Sequence, residues 1–160
     1  MAMAEGETDA DGWQALPPQA RIQFMLVGAG IGLLPAIPAF TVGHAFGFHR
    51  FALPFAVALV GAAIGAWRGD RIWRHSAWCL DEAGFTLRRG RLWRRETRVP
   101  QSRVQHLDLR RGPLQRHFGL STLVIHTAGT RHSAVTINGL AADDAERLRD
   151  TLARQVEDDD

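Results

Sequence analysis

The sequence contains no lysine, no tyrosine and only one cysteine, Cys79. One cysteine cannot form a disulfide within the chain, and it excludes a zinc site made of several cysteines. Because lysine is absent, all 19 basic residues are arginines. A length of 160 residues fits a single domain, which argues against a two-domain enzyme with a deep cleft between its domains.

The charge is distributed unevenly along the chain. Residues 1–20 carry a net charge of −4, residues 21–131 carry +11 and residues 132–160 carry −5, which gives the overall charge of +2. A basic middle between acidic ends is typical of contact with a polyanionic surface, either nucleic acid or anionic lipid.

Two long uncharged segments occupy the first half of the sequence. Residues 22–42 are 21 residues without a charge, and a helix of that length spans about 31 Å, the thickness of a hydrocarbon core. Residues 51–67 are 17 uncharged residues ending at Trp67, a residue type that anchors helices at membrane interfaces. The remaining residues are too few and too charged to cover both segments as a soluble helix pair. We therefore predict a transmembrane helical hairpin over residues 21–68.

The arginines beside these segments predict the orientation of the hairpin. Arg68, Arg71 and Arg74 follow the second segment, Arg21 precedes the first, and the loop between them contains only Arg50. Cytoplasmic flanks of membrane helices accumulate positive residues. We therefore expect a multi-pass membrane protein with both termini in the cytoplasm.

Each predicted span carries a GxxxG pair, and prolines in the first span predict a kink there. The pairs are Gly28 with Gly32 and Gly61 with Gly65. Small residues at this spacing let helix backbones approach closely. These glycines are candidate packing residues, either between the two helices of the hairpin or against a second protein.

The second half has the pattern of a small β-rich domain. Short segments of strand composition recur about every ten residues and are bounded by glycine or proline. We predict strands near residues 76–80, 85–89, 92–99, 104–110, 122–127 and 133–137. A two-residue hairpin turn is predicted around Gly90, because glycine supplies the positive φ that such turns need.

The last segment changes to helical periodicity. Apolar residues spaced by three or four between Ala141 and Val156 predict an amphipathic helix that caps the sheet. Residues 69–156 are then one domain, whose first residues belong to a linker predicted over residues 68–76. Residues 1–20 and 157–160 are predicted to be acidic disordered tails.

Residues 78–129 resemble the bacterial pleckstrin-homology (PH) domain membrane proteins, the YdbS-like family. The resemblance extends over residues 22 to about 153, hairpin included, and depends on several pieces in order: the Gly90 hairpin, Val99-Pro100, Arg103 to His106, Gly112 to Arg116, Gly119-Leu120 and Thr127 to Gly129. It implies a membrane-anchored α+β fold, in which a two-helix transmembrane hairpin precedes a bent antiparallel β-sheet capped by a C-terminal α-helix. Such proteins are generally described as membrane-anchored modules, sometimes linked to cell-envelope stress. The resemblance carries over no catalytic residues.

The densest chemical feature is a cluster of ten arginines within 29 residues that hold only two acids, Glu96 and Asp108. Its members are Arg88, Arg89, Arg91, Arg94, Arg95, Arg98, Arg103, Arg110, Arg111 and Arg116. Because side chains alternate across a sheet, one face cannot hold all ten. We predict that part of the cluster binds anionic lipid or an acidic protein, since each arginine near an anionic leaflet contributes about 1 kcal/mol. The alternative is a solvated surface with ion pairs to the acidic C-terminal helix.

No catalytic, metal or cofactor site is predicted. The sequence has no HExxH and no GxSxG motif. His106 and Asp108 share a strand face, where they suit an ion pair as well as catalysis. The histidines at positions 44 and 49 lack a third metal ligand. The glycine-rich segment at residues 28–32 follows no strand, so it is not a dinucleotide loop.

Nucleic acid is the other polyanion that a basic surface could bind. Stacking aromatics interleaved with arginines would favour it. Trp93 and Phe118 are better assigned to a small core, however, and a membrane tether limits access. The sequence therefore predicts no nucleic-acid partner.

Together these observations predict a non-catalytic binding or scaffolding module at the cytoplasmic face of the bacterial inner (plasma) membrane. Its predicted partners are anionic lipid, another protein or a second copy of the chain. Two alternatives stay open, a structural subunit of a membrane complex and an enzyme whose site forms only with a partner.

Overall fold

The computed structural model describes residues 12–45, 51–81, 84–90, 95–128 and 134–158. The chain divides into two compact units. One is helical and comprises Arg21–Arg74, and the other combines the N-terminal residues up to Ala20 with the residues from His75 onward.

The helices of the first half are α1 (Pro18–Gly32), α2 (Ala36–Ala45) and α3 (Ala52–Arg74). A turn between α1 and α2 contains Pro35, which lacks the backbone donor that a continuous helix would use. The segments Pro18–His44 and Ala52–Arg74 are long and apolar enough to cross a membrane. The predicted linker was wrong over residues 68–74, because no proline interrupts that stretch and α3 continues to its end.

Glycines bring the backbones of α1 and α3 into direct contact. Gly28 lies against Gly65, and Gly32 lies against Gly61. A Cβ atom added to any of the four would fall on a carbonyl group of the facing helix. Of the two uses that the sequence leaves open, the structure shows these glycines in contact within the hairpin.

A shared carboxylate joins α1 to α3 at their adjacent ends. Asp70 accepts hydrogen bonds from the Nε atoms of Arg21 and Arg74, each at 2.7 Å. The Arg21 guanidinium also lies over the Trp73 ring, 5.7 Å from its centroid. The Arg21–Asp70 pair therefore links the start of α1 to the end of α3, while Arg74, on the same helix as Asp70, holds the other carboxylate oxygen.

The β-rich unit contains two antiparallel sheets. Sheet A has the order β1 (Gln14–Ala15), β2 (Ser76–Asp81), β3 (Gly84–Arg89) and β4 (Arg95–Pro100), and sheet B has the order β5 (Val104–Arg110), β6 (Leu120–Thr127) and β7 (Ala134–Ala141). One 3-10 turn (Gln101–Arg103) follows β4, and the short helix α4 (Pro113–His117) joins β5 to β6. The C-terminal helix is α5 (Ala142–Asp158). This arrangement confirms the predicted PH-like fold.

Helix α5 caps sheet B. It contacts all three strands of that sheet, and its apolar stripe buries Leu148 and Leu152. On the sheet, Leu123, Ile125 and Ile137 are almost completely buried. The helix extends through Asp158, so the predicted boundary of the C-terminal tail at residue 157 is not a structural boundary.

The prediction of a disordered tail over residues 1–20 was wrong for its second part. Gln14 and Ala15 pair with β2, and Leu16 is buried. The four acids of this segment all precede residue 12, so residues 12–20 carry no charge and include large apolar side chains. Residues 1–11 lie outside the described residues.

The connection after Gly90 is longer than predicted. Arg89 pairs directly with Arg95, so residues 90–94 join the two strands where a two-residue turn was expected. Gly90 has a φ of 90°, which an L-residue with a side chain rarely adopts. The predicted start of the next strand at residue 92 lies outside the described residues.

The glycine contacts predict a position-specific sensitivity in the hairpin. Gly28→Ala places a Cβ on the facing helix and should destabilise the hairpin by about 1 to 2 kcal/mol, in keeping with the modest strength of membrane helix contacts. A Cβ atom added at Gly30 would have no neighbour within 4 Å, so Gly30→Ala is the matched control and should not destabilise the hairpin. Denaturation by sodium dodecyl sulfate in mixed micelles measures both variants. Equal stability of the two would contradict the role of Gly28.

Candidate functional site

Several arginines of the predicted cluster form ion pairs in the part of the β-rich unit that the structure describes. These include Arg88 with Glu96 (3.8 Å), Arg98 with Asp81 (2.9 Å), Arg110 with Asp108 (3.3 Å) and Arg111 with Glu146 (2.6 Å). Exposed pairs of this kind contribute little to stability. They do reduce the positive potential, so the arginine count overstates the charge that the surface offers to a partner.

Arg88 is also covered by the N-terminal segment. Its guanidinium carbon lies 3.7 Å from the centroid of the Trp13 ring, a cation–π contact that no local sequence pattern indicates. Arg88 therefore packs against residues of its own chain.

Arg103 and Arg116 lie on separate elements. Arg103 is exposed in the 3-10 turn, and Arg116 is exposed on α4. Arg91 and Arg94 lie outside the described residues. No single face of the described part of the domain collects the cluster.

Arg89 and Arg95 are brought together. They lie directly opposite each other on β3 and β4, and the next pair on the same face is Leu87 with Thr97. This face lines a cleft of about 240 Å³ together with one segment of β7. The lining residues are Leu87, Arg89, Arg95, Thr97, Ala134, Val135 and Thr136. None of these described lining residues is acidic.

The environment of Arg89 disfavours the charged form of its guanidinium group. Its Nη2 atom donates a hydrogen bond of 2.8 Å to the backbone carbonyl of Thr136. Burial, and then the positive charge of Arg95, lower the pKa of Arg89. An arginine nevertheless stays protonated in a protein, so the cleft holds a partly desolvated cation beside a second one.

This cleft lies at the end of sheet A where the chain arrives from α3. Ser76 pairs with Arg89, and Arg89 pairs with Arg95, so these three residues form one row across the sheet. The Gly90 amide donates a hydrogen bond of 3.1 Å to the carbonyl of His75, the residue that directly follows α3. The row therefore begins two residues after the helix ends.

A second polar cluster lies on β5 and β6. The carboxylate of Asp108 is hydrogen-bonded to His106 Nε2 at 2.8 Å, and to His126 Nε2 and Arg110 Nη2 at 3.3 Å each. The pKa of Asp108 is lowered, chiefly because Arg110 donates a hydrogen bond to it, and the two histidines add to an effect that outweighs partial burial. Across the described ranges, no group of three His, Cys, Asp or Glu side chains is arranged to hold a metal ion.

Comparison with known proteins assigns the chain to a family. The model of the Bacterial PH domain family matches residues 29–156. The chain belongs to the bacterial PH domain family. It is also 36% identical over 109 residues to the UPF0699 transmembrane protein YdbS of Bacillus subtilis (strain 168), an alignment that covers 66% of each chain. No solved structure matches significantly.

The match confirms the resemblance seen in the sequence. It begins within α1, so it covers most of the hairpin as well as the PH-like unit. Together with the two apolar helices, the similarity identifies the chain as a membrane-associated protein with a PH-like module.

The Asp108 cluster predicts a specific titration in this bacterial PH domain. Asp108 should titrate below the ordinary aspartate value of about 3.9, and Arg110→Gln should raise its pKa by removing the main donor. Because the folded pKa is the lower one, the stabilisation by this carboxylate is present above about pH 4 and is lost as the pH falls through the folded pKa. Carbon-detected NMR of the carboxyl groups measures the shift. Arg98→Gln, which breaks a pair elsewhere, should leave Asp108 unchanged, and an unshifted Asp108 in Arg110→Gln would refute the assignment.

Proposed function

We propose that the chain is a non-catalytic binding module that its helical hairpin anchors in the bacterial inner membrane. The PH-like domain lies on the cytoplasmic surface and binds anionic lipid through basic residues of sheet A. The observation that carries the proposal is the short connection between the two units. Helix α3 ends at Arg74 and β2 begins at Ser76, so only His75 separates the candidate span from the sheet.

The length of α3 supports this placement. Its 23 residues give a helix of about 34 Å, slightly longer than a hydrocarbon core of about 30 Å. Its last turns carry Arg68, Arg71 and Arg74, residues suited to the headgroup region. The first residues of β2 then follow at the level where an anionic leaflet attracts arginines most strongly.

The side chains of the described residues also support a binding role over a catalytic one. Burial, and then the nearby charge of Asp81, raise the pKa of the Cys79 thiol, which disfavours the reactive thiolate. His106 and His126 both share one carboxylate with Arg110. That pattern fits a structural ion cluster, in which the carboxylate is held by several partners.

The orientation is tested by reporter fusions to the full chain. A reporter after Asp160 should be cytoplasmic, and one inserted between Phe46 and Gly47 should be exported, because the arginines flank the hairpin on its outer sides. An exported C-terminal reporter would place the domain on the opposite face and overturn the proposal.

The lipid contact is tested on the full chain reconstituted in nanodiscs. In discs containing 30 mol% phosphatidylglycerol, backbone amides of β3 and β4 should exchange hydrogen more slowly than in discs of phosphatidylcholine alone. The difference should disappear near 1 M salt, where the Debye length falls to about 3 Å. Equal exchange rates of these amides in both discs at low salt would contradict lipid binding and favour a protein partner.

A further inference from the structure

An N-terminal strap, which consists of residues 12–16, closes one edge of sheet A. Its strand β1 pairs with Ala77 and Trp78 of β2, and Leu16 at its end is buried. The whole hairpin lies between the strap and β2 in the sequence. The strap is therefore held on the sheet by long-range contacts that local sequence does not enforce.

The strap lies against two side chains of the sheet. The Trp13 ring centroid lies 3.7 Å from the guanidinium carbon of Arg88, and a Cβ atom added to Gly12 would meet Sγ of Cys79 at 3.6 Å. Cys79 pairs with Thr86 on β3, so Cys79 and Arg88 project from the same face. The strap thus lies over a basic residue and beside the only cysteine of the chain.

Opposing contributions hold the strap in place. The cation–π contact and the burial of Leu16 favour it. However, β1 has only two residues, and it adds few backbone hydrogen bonds to the sheet. The Nε atom of Arg88 is buried and has no hydrogen-bond partner within the part of the chain that the structure describes, which is unfavourable for a donor. Release of the strap would let water reach this donor and would offset part of the lost contact.

We propose that residues 12–16 are a releasable strap that keeps Arg88 from an anionic leaflet until the leaflet displaces it. The inference rests on the proposed function and adds regulation to it. In the closed state the indole ring of Trp13 occupies one side of the Arg88 guanidinium group. In the released state Arg88 and the edge of β2 are open to solvent or lipid.

Charge makes an anionic leaflet a suitable trigger, because a surface shifts an equilibrium only if it favours one of the two states. The leaflet attracts Arg88 and repels the four acids of residues 5–11, which directly precede the strap in the sequence. The indole of Trp13 is itself a side chain that favours membrane interfaces. All three effects favour release at an anionic surface, and the two electrostatic ones weaken with salt.

The reaction of Cys79 with a maleimide measures release in the full chain in phosphatidylcholine nanodiscs. Burial raises the pKa of this thiol, so uncovering it should speed the reaction through both access and thiolate formation. Trp13→Ala should raise the rate about tenfold, because the strap loses its contact with Arg88. Trp67→Ala removes an indole that pairs with Arg71 in the hairpin and should change the rate less than about twofold. An unchanged rate in Trp13→Ala would overturn the strap.

The trigger is tested on the unmodified chain by adding phosphatidylglycerol to the discs. Cys79 should then react about fivefold faster, and the difference should vanish near 1 M salt, where the Debye length is about 3 Å. Backbone amides of β2 should exchange hydrogen faster in the same discs, while those of the central strand β6 stay protected. Faster exchange throughout β6 would mean that the whole domain unfolds, which would contradict release of a strap.

A disulfide from Gly12→Cys to Cys79 should lock the strap closed, since the two positions are close enough for a bridge. The oxidised variant should lose most of the protection that phosphatidylglycerol gives to β3, and reduction should restore it, so the reduced protein is the matched control. Protection that is equal before and after reduction would refute regulation by the strap and leave the lipid contact standing. If phosphatidylglycerol protects β3 in neither the variant nor the unmodified chain, the proposed function is wrong as well.

Discussion

The antiparallel register of β2, β3 and β4 decides which arginines can act together. Arg89 and Arg95 meet because they are directly paired, and Arg88 points to the opposite face because successive side chains alternate. On that face Arg88 meets Trp13. A shift of one residue in the register would exchange the two faces. Burial of the apolar residues that share a face with Arg89 fixes the register, and it therefore also fixes the position of the arginine pair. Phe85 and Leu87 are almost fully buried on that face.

The same constraint explains why a high local charge does not by itself define a site. Arg98 and Arg110 lie in the basic segment, yet each has a carboxylate within 3.3 Å. Their attraction to a distant anion is reduced by that partner and screened by salt. Arg89 differs because it has already lost part of its hydration to the cleft.

Much of the architecture could be predicted from local patterns. The two uncharged segments indicated the membrane helices, the alternation of apolar residues indicated most strands, and apolar residues spaced by three or four indicated the capping helix. Local patterns failed where structure depends on distant pairing. Strand β1 has two residues and therefore no periodicity, and it exists because Gln14 and Ala15 add to the edge of β2. The length of the connection after Gly90 depends on the pairing of Arg89 with Arg95.

The candidate site shows the same division. The sequence placed Arg89 and Arg95 among ten arginines but had no means of separating them from the other eight. What separates them is the nearness of β7, which follows these strands by about forty residues and supplies the carbonyl of Thr136. The partner of Arg111 is equally remote, since Glu146 lies 35 residues away on α5. Charge composition could therefore suggest only that a polyanion is the kind of partner to test. Which arginines lie close together depends on tertiary packing, because the strand register pairs Arg89 with Arg95 and β7 supplies a carbonyl to Arg89.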